Sequence, residues 1–182
     1  MEGADLGLLV LRVAVGVVMV AHGYNHIFGG GRIAGTAGWF ESLGMRPGRL
    51  HAWTASLTEL GAGVLLLLGL LTPLAGGAVI GVMLVAWITN HRTNGFFVFR
   101  PGEGYEYVMM LTASGAALAF LGGGGVSLDH AMGWFVPPTW TEGLVAAGMG
   151  VLGAVALLAV CWRPPAPDTR REPIVPASKG VS

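Results

Sequence analysis

Long apolar stretches, each interrupted by very few polar residues, dominate the hydrophobic pattern of this chain. A helix that crosses a bilayer needs about 20 mainly apolar residues. Five stretches meet or approach that length, and polar or glycine-rich segments separate them. We therefore predict an all-α membrane protein. Its predicted spans cover residues 6–28, 53–71, 74–91, 105–121 and 142–162.

The chain divides into three predicted parts. Residues 1–133 hold the first four spans, which we expect to form a four-helix bundle. Residues 134–162 hold an aromatic interfacial segment and the fifth span. Residues 163–182 are Pro-rich and polar, and we expect a disordered tail. Between the first two spans, Trp39, Phe40, Leu43 and Met45 are predicted to lie along the membrane surface as a short amphipathic helix.

Composition agrees with this assignment. Of 182 residues, 53% are hydrophobic and only 11% are charged, whereas a soluble domain carries about 25% charged residues. Net charge is zero, which gives no indication of a nucleic-acid partner. The single cysteine, Cys161, excludes an internal disulfide or a dithiol redox pair in this chain. The first segment lacks the basic region of a signal peptide, so we expect it to stay as an anchor.

The basic residues predict an orientation. With five spans, the connections opposite the N-terminus, together with the tail, hold every Lys and Arg except Arg12. We call this side of the membrane the basic side and the other the N-terminal side. The positive-inside rule places the basic side in the cytoplasm. The N-terminus is then outside and the C-terminus is cytoplasmic.

Polar residues from four predicted spans converge toward the basic side. We predict a shared ligand pocket formed by His22, Asn25, His26, His91, Asn94 and Glu106. Glu59 and Arg12 lie deeper and are the candidate catalytic residues, because ionisable groups at membrane depth usually mark functional sites. Arg12, Gly16, Met19, Gly23 and His26 fall on one stripe of the first helix, which predicts its inner face. Since Arg12 and Glu59 are roughly 10 Å apart along the axis, a direct pair needs extended side chains or a bridging water.

Simpler interpretations stand beside these. Arg12 and Glu59 could form a structural ion pair that fixes helix register. His22 and His26 have the i, i+4 spacing of a shared metal site, and His22 with His91 could serve as axial haem ligands within a helix bundle. Both rank below a hydrogen-bonded or solvated role, so we predict neither a metal nor a haem.

Several segments resemble the DoxX family of bacterial membrane proteins. The similar stretches are "LRVAVGVVMVAHGYNHIFGGG", "TELGAGVLLLLGLLTPLAGGAVIGVMLVAW", "NGFFVF" and "GYEYVMMLTASGAALAFLGGGGVSLDHAMG", within residues 6–133. The resemblance implies a four-helix bundle in the bacterial inner membrane. It puts Arg12, His22, Glu59, Asn94 and Glu106 on the polar positions of the family pattern. The family commonly has Gln-Lys where this chain has Asn25-His26.

The resemblance also implies a redox setting. One relative is the small membrane subunit of thiosulfate:quinone oxidoreductase, and others are linked to oxidative-stress and thiol-homeostasis complexes. The leading hypothesis is therefore a membrane subunit of a redox system, with quinone as the cofactor considered and a soluble or membrane protein as redox partner. A small-solute transporter and a structural assembly subunit are the alternatives. A homo-oligomer is compatible with each of them.

Overall fold

The computed structural model describes residues 2–135 and 138–164, and this part of the chain contains helices and connections only. The helices are α1 (Gly3–Phe28), α2 (Arg32–Ser42), α3 (Gly48–Leu68), α4 (Thr72–Ala86), α5 (Glu106–Leu121), α6 (Leu128–Met132) and α7 (Trp140–Cys161). One π-helical turn, Trp87–His91, continues α4. The predicted tail beyond residue 164 lies outside the described residues.

The fold class predicted from hydropathy is confirmed. Four helical segments are long and apolar enough to cross a bilayer: Gly3–Phe28, Gly48–Leu68, Thr72–His91 and Trp140–Cys161. The remaining apolar helix, α5, has 16 residues, or about 24 Å of axial rise. It is shorter than a 30 Å hydrocarbon core, yet it packs against α4 and α7 as part of the bundle.

Glycines set the contact between α1 and α3. A Cβ on Gly16 would lie 2.9 Å from the Gly63 carbonyl oxygen, and a Cβ on Gly63 would lie 2.8 Å from the Gly16 oxygen. Only glycine permits this backbone approach, which is typical of membrane helix pairs. The predicted inner stripe of α1 is confirmed, since Arg12, Gly16, Met19 and Gly23 are buried.

A second close contact joins α4 to α7. A Cβ on Gly77 would lie 2.2 Å from the Ala146 carbonyl oxygen, and one on Gly150 would lie 2.0 Å from the Gly77 oxygen. Helix α7, the C-terminal span, is therefore packed into the bundle.

The end of α7 also supports the connection between α2 and α3. Trp162 Nε1 donates a 3.0 Å hydrogen bond to the Leu43 carbonyl, and Met45 pairs with Trp162 through an isolated β-bridge. Phe40, Met45, Ala52 and Leu158 form a buried cluster around this joint. Phe40 and Met45 are 7% and 1% exposed, so they pack into protein and do not lie along the membrane surface as predicted. The joint lies at the same end of the bundle as the close of α1 and the start of α3.

Candidate functional site

A buried histidine–carboxylate pair lies toward the basic side of the bundle. His26, in the last turn of α1, and Glu59, in the middle of α3, approach with Nδ1 3.1 Å from Oε2. Their side chains are 17% and 5% exposed. The distance is that of an ion pair, while the angle does not meet hydrogen-bond geometry. The close packing of α1 on α3 faces these two side chains toward each other.

Helix α2 covers this pair with aromatic rings. The His26 ring lies 6.4 Å from Trp39 and 6.3 Å from Phe40, measured between centroids. Thr36 Oγ1 donates a 2.8 Å hydrogen bond to the His26 carbonyl, which ties α2 to the end of α1. The connection Gly29–Gly31 reverses the chain so that α2 folds back here. The polar pair therefore has an apolar cover that belongs to a separate helix.

A second histidine faces the same cover. His51, near the start of α3, is 3% exposed, and its ring lies 6.3 Å from Phe40. His51 Nε2, His26 Nδ1 and Glu59 Oε2 are buried atoms without a hydrogen-bond partner. Buried polar atoms are nearly always paired, so each exception needs an explanation. Two more such atoms, Arg12 Nε and Thr72 Oγ1, lie on the N-terminal side. The region beneath the aromatic cover is the candidate site because a histidine and a carboxylate face each other there at 3.1 Å, and we call it the His26–Glu59 site.

Other residues predicted for the pocket form a separate cluster. His91 Nδ1 donates to the Glu103 carbonyl at 2.8 Å, and Asn94 Nδ2 donates to the same oxygen at 3.2 Å. Glu106 Oε2 accepts from the Val98 amide at 3.2 Å. These side chains close the loop of residues 92–105. Among the described residues, hydrogen bonds and ion pairs do not connect them to the His26–Glu59 site.

His22 and Asn25 lie on the exposed side of α1. The His22 ring stacks on Tyr107 of α5, with centroids 6.0 Å apart. Asn25 accepts the Gly29 amide through its backbone carbonyl and so ends the helix. The described residues contain no group of three or more His, Cys, Asp or Glu with metal-binding geometry.

Arg12 belongs to a different region, on the N-terminal side. It is 1% exposed; Nη1 donates to the Leu66 carbonyl at 2.9 Å, and Nη2 donates to the Val126 carbonyl. The negative charge of Asp129 attracts the Arg12 guanidinium. The Arg12–Glu59 pair considered from the sequence is not formed, because the two residues lie at different depths and each has its own partners.

The sequence interpretation missed two buried residues. His51 lies outside the predicted span, which begins at Trp53, whereas α3 begins at Gly48 and includes it. Asp129, 1% exposed, accepts the amides of Leu71 and Thr72 at 2.7 and 2.8 Å and caps α4. The sequence around the start of α4 does not predict this cap, because the capping residue, Asp129, lies far along the chain.

A cavity of about 530 Å³ opens at the N-terminal side, away from the His26–Glu59 site. Asp5, Asp129 and His130 line it with the loop Gly123–Ser127. Its two aspartates are already bonded to backbone amides, since Asp5 accepts Gly125 N at 2.7 Å and Asp129 caps α4. The fold itself therefore largely satisfies the two aspartates that line the cavity.

Together, fold and site define a class: a multi-pass α-helical membrane protein that lies in a lipid bilayer and carries a buried histidine–carboxylate pair near one end. A profile of the DoxX family matches residues 7–92. The Bacillus subtilis (strain 168) protein named "Putative oxidoreductase CatD" is 30% identical over 122 residues, covering 63% of this chain and 79% of the relative. The chain belongs to the DoxX family. No solved structure matches it significantly.

Proposed function

We propose that this protein is the membrane subunit of a redox system, quinone- or thiol-stress-linked, and that the His26–Glu59 site binds a quinone headgroup. The observation that carries the proposal is the His26–Glu59 pair, with Nδ1 3.1 Å from Oε2, beneath the rings of Trp39 and Phe40. The buried Nε2 atom of His51, which lacks a hydrogen-bond partner, lies near the same cover. The name of the B. subtilis relative, which contains the word oxidoreductase, adds support.

The chemistry of a quinone suits these groups. Each carbonyl oxygen accepts a hydrogen bond, and reduction to the quinol takes up two electrons and two protons. In this proposal the electrons come from a soluble or membrane redox partner. His26 donates a hydrogen bond to one carbonyl, and Glu59 transfers protons to the reduced headgroup. The rings of Trp39 and Phe40 supply an apolar wall for the flat quinone.

These roles differ from those predicted from the sequence. Arg12 donates to two main-chain carbonyls and is assigned a structural role, and His91 takes part in closing the loop of residues 92–105. His26, predicted as a member of the ligand pocket, is the residue that faces Glu59. The DoxX resemblance implies a lysine at this position, and a histidine keeps a side chain that carries a positive charge when protonated. The cytoplasmic location of the basic side, in the inner membrane, is part of the same proposal, since protons and a soluble partner would reach the site from there.

The first test is quinone binding. The protein is purified in mild detergent, its bound lipids are extracted and analysed for quinone, and a short-chain ubiquinone is titrated into nanodiscs while tryptophan fluorescence is followed. We expect saturable quenching, weakened about tenfold in Glu59→Gln by loss of about 1.4 kcal/mol. Quinone-free extracts together with an absence of saturable quenching would refute the proposal.

Two further variants make this test specific. His26→Lys restores a cation beside Glu59 and should bind more tightly than His26→Asn. Glu106→Gln is the matched control, because Glu106 is also a carboxylate near the basic side but accepts the Val98 amide. It should bind quinone like the wild type. Equal weakening in Glu59→Gln and Glu106→Gln would indicate a general loss of structure.

A structural assembly subunit is the second candidate. It is favoured by the predicted site residues whose polar groups bond to backbone groups of the chain: Arg12, predicted as catalytic, and His91, Asn94 and Glu106, predicted for the pocket. In that case Glu59→Ala lowers abundance of the complex, while partner activity per assembled complex stays normal. A loss of activity in a fully assembled complex would exclude this candidate.

A further inference from the structure

A continuous row of aromatic rings runs from the flank of α4 onto the loop of residues 92–105. Centroid distances are 5.9 Å from Trp87 to Tyr105, 5.6 Å from Tyr105 to Phe96, 5.3 Å from Phe96 to Phe97, and 5.1 Å from Phe97 to Phe99. We call these five residues the aromatic row. It begins on a helix that is long and apolar enough to cross a bilayer, at a tryptophan that is 42% exposed.

The row presents apolar surface that the bundle does not cover. Phe96 and Phe97 are 38% and 44% exposed, Val98 is 45% exposed, and Phe99 is 79% exposed. Three phenylalanines and a valine in four residues are costly to leave in water, at about 25 cal/mol for each Å² of apolar surface. The row is continuous with the exposed Trp87, at the end of a helix that is long and apolar enough to cross a bilayer, and its outer members extend beyond that end.

The loop that carries the row is internally hydrogen-bonded. Backbone amides of residues 104, 105 and 106 donate to the carbonyls of Phe97, Gly95 and Phe96 at 3.2, 3.0 and 2.9 Å. The His91, Asn94 and Glu106 side chains satisfy further backbone groups of the same loop. Backbone that enters an apolar environment needs such internal partners. His91, Asn94 and Glu106, which were predicted to form a ligand pocket, thus supply hydrogen-bond partners that the backbone of this loop needs in contact with lipid.

A cation follows the row directly. Arg100 is exposed. Its side chain passes over Gly95, within van der Waals reach of that residue. A guanidinium suits phosphate oxygens, since its planar donors match them in pairs. Phenylalanines followed by an arginine fit the boundary between acyl chains and phosphates, where apolar rings insert and the cation stays at the headgroups.

We propose that Phe96–Phe99 insert into the bilayer at headgroup depth, with Arg100 on lipid phosphates. The loop then anchors the α4–α5 end of the bundle to the membrane surface. This anchor does not depend on quinone binding at the His26–Glu59 site, so each can fail alone.

The test places an environment-sensitive fluorophore at single cysteines. Cys161 is the only native cysteine, so Cys161→Ala supplies the background. Phe99→Cys is labelled and reconstituted in vesicles of phosphatidylcholine and phosphatidylglycerol. Thr93→Cys, exposed in the same loop but outside the row, is the matched control, and Val155→Cys on the exposed face of α7 is the lipid-exposed reference.

We expect the label at Phe99 to be quenched about twofold more by a headgroup-level nitroxide lipid than the label at Thr93, and to be shielded from aqueous iodide. Arg100→Gln should reduce this difference in vesicles rich in phosphatidylglycerol. If the labels at Phe99 and Thr93 respond alike to both quenchers, the lipid anchor is refuted and the row is a surface for a protein partner. Quenching of the Val155 label shows that the reconstituted protein is folded in the bilayer.

Discussion

The Asp129 carboxylate offers the sharpest stability test of the N-terminal side. It caps the start of α4 by accepting the Leu71 and Thr72 amides at 2.7 and 2.8 Å. Asp129→Asn keeps the shape of the side chain but replaces one of its two acceptor oxygens by an NH₂ group. One of the two backbone amides, that of Leu71 or that of Thr72, then faces a donor and loses its hydrogen bond. The change also removes the negative charge at a helix N-terminus and the carboxylate that acts on buried Arg12.

The size of the effect follows from those contacts. A hydrogen bond to a charged group contributes about 1.5–3 kcal/mol, and an unsatisfied buried donor costs about 1–3 kcal/mol. Because the two estimates overlap, we expect a loss of about 2–4 kcal/mol. For a chain of this length 1 kcal/mol corresponds to about 2–4 °C in Tm, which gives a decrease of about 5–15 °C.

The assay is thermal unfolding of the purified protein in detergent, followed by intrinsic tryptophan fluorescence and by size-exclusion recovery after heating. Asp5→Asn is the matched control, since Asp5 lies at the same end of the bundle, is only partly buried and accepts the Gly125 amide. It should lose about 1 kcal/mol or less. A Tm for Asp129→Asn within about 2 °C of wild type would refute the reasoning.

Three further changes test other contacts. Gly150→Val brings a Cβ into the Gly77 carbonyl and should lower Tm by several degrees in thermal unfolding, whereas Gly148→Val, with open space around its Cβ, should not. Trp162→Phe removes the hydrogen bond to the Leu43 carbonyl and should lower stability by about 1 kcal/mol in the same thermal unfolding assay. Gly69 has a positive φ of +64°, and a Cβ added there would collide with Arg12 Nη1. Gly69→Ala should therefore reduce the yield of folded protein on size-exclusion chromatography.

Hydropathy was sufficient to locate the five long apolar helices, because apolarity is a property of single segments. Transfer free energy accumulates residue by residue, so long apolar stretches identify themselves. The start of α3 was placed too late at Trp53, because His51 is polar. Its burial depends on α2 folding over it, and the sequence of α3 contains no sign of that cover.

Side-chain partners were harder to predict because they depend on pairs of helices. Helical phase placed His26 on the inner face of α1, which is near the observed arrangement. Its contact with Glu59 depends on the rotation of α1 against α3, and that rotation is fixed by the Gly16–Gly63 approach. Convergence on one side of the membrane was a necessary condition for a shared pocket, but it was not a sufficient one.

The partners of the buried polar groups differ between the two ends of the bundle. On the N-terminal side, Arg12 and Asp129 bond to backbone groups and thereby fix the turn between α3 and α4, while Arg12 Nε and Thr72 Oγ1 are buried without a hydrogen-bond partner. Near the basic side, His26, His51 and Glu59 keep buried atoms without hydrogen-bond partners. A network that serves packing alone gains most when every member is bonded, because each unpaired buried atom costs about 1–3 kcal/mol. Unpaired atoms occur at both ends, so they do not decide between the two regions. The His26–Glu59 site is favoured over Arg12 as the location of chemistry because a histidine and a carboxylate face each other there, whereas Arg12 donates to two main-chain carbonyls.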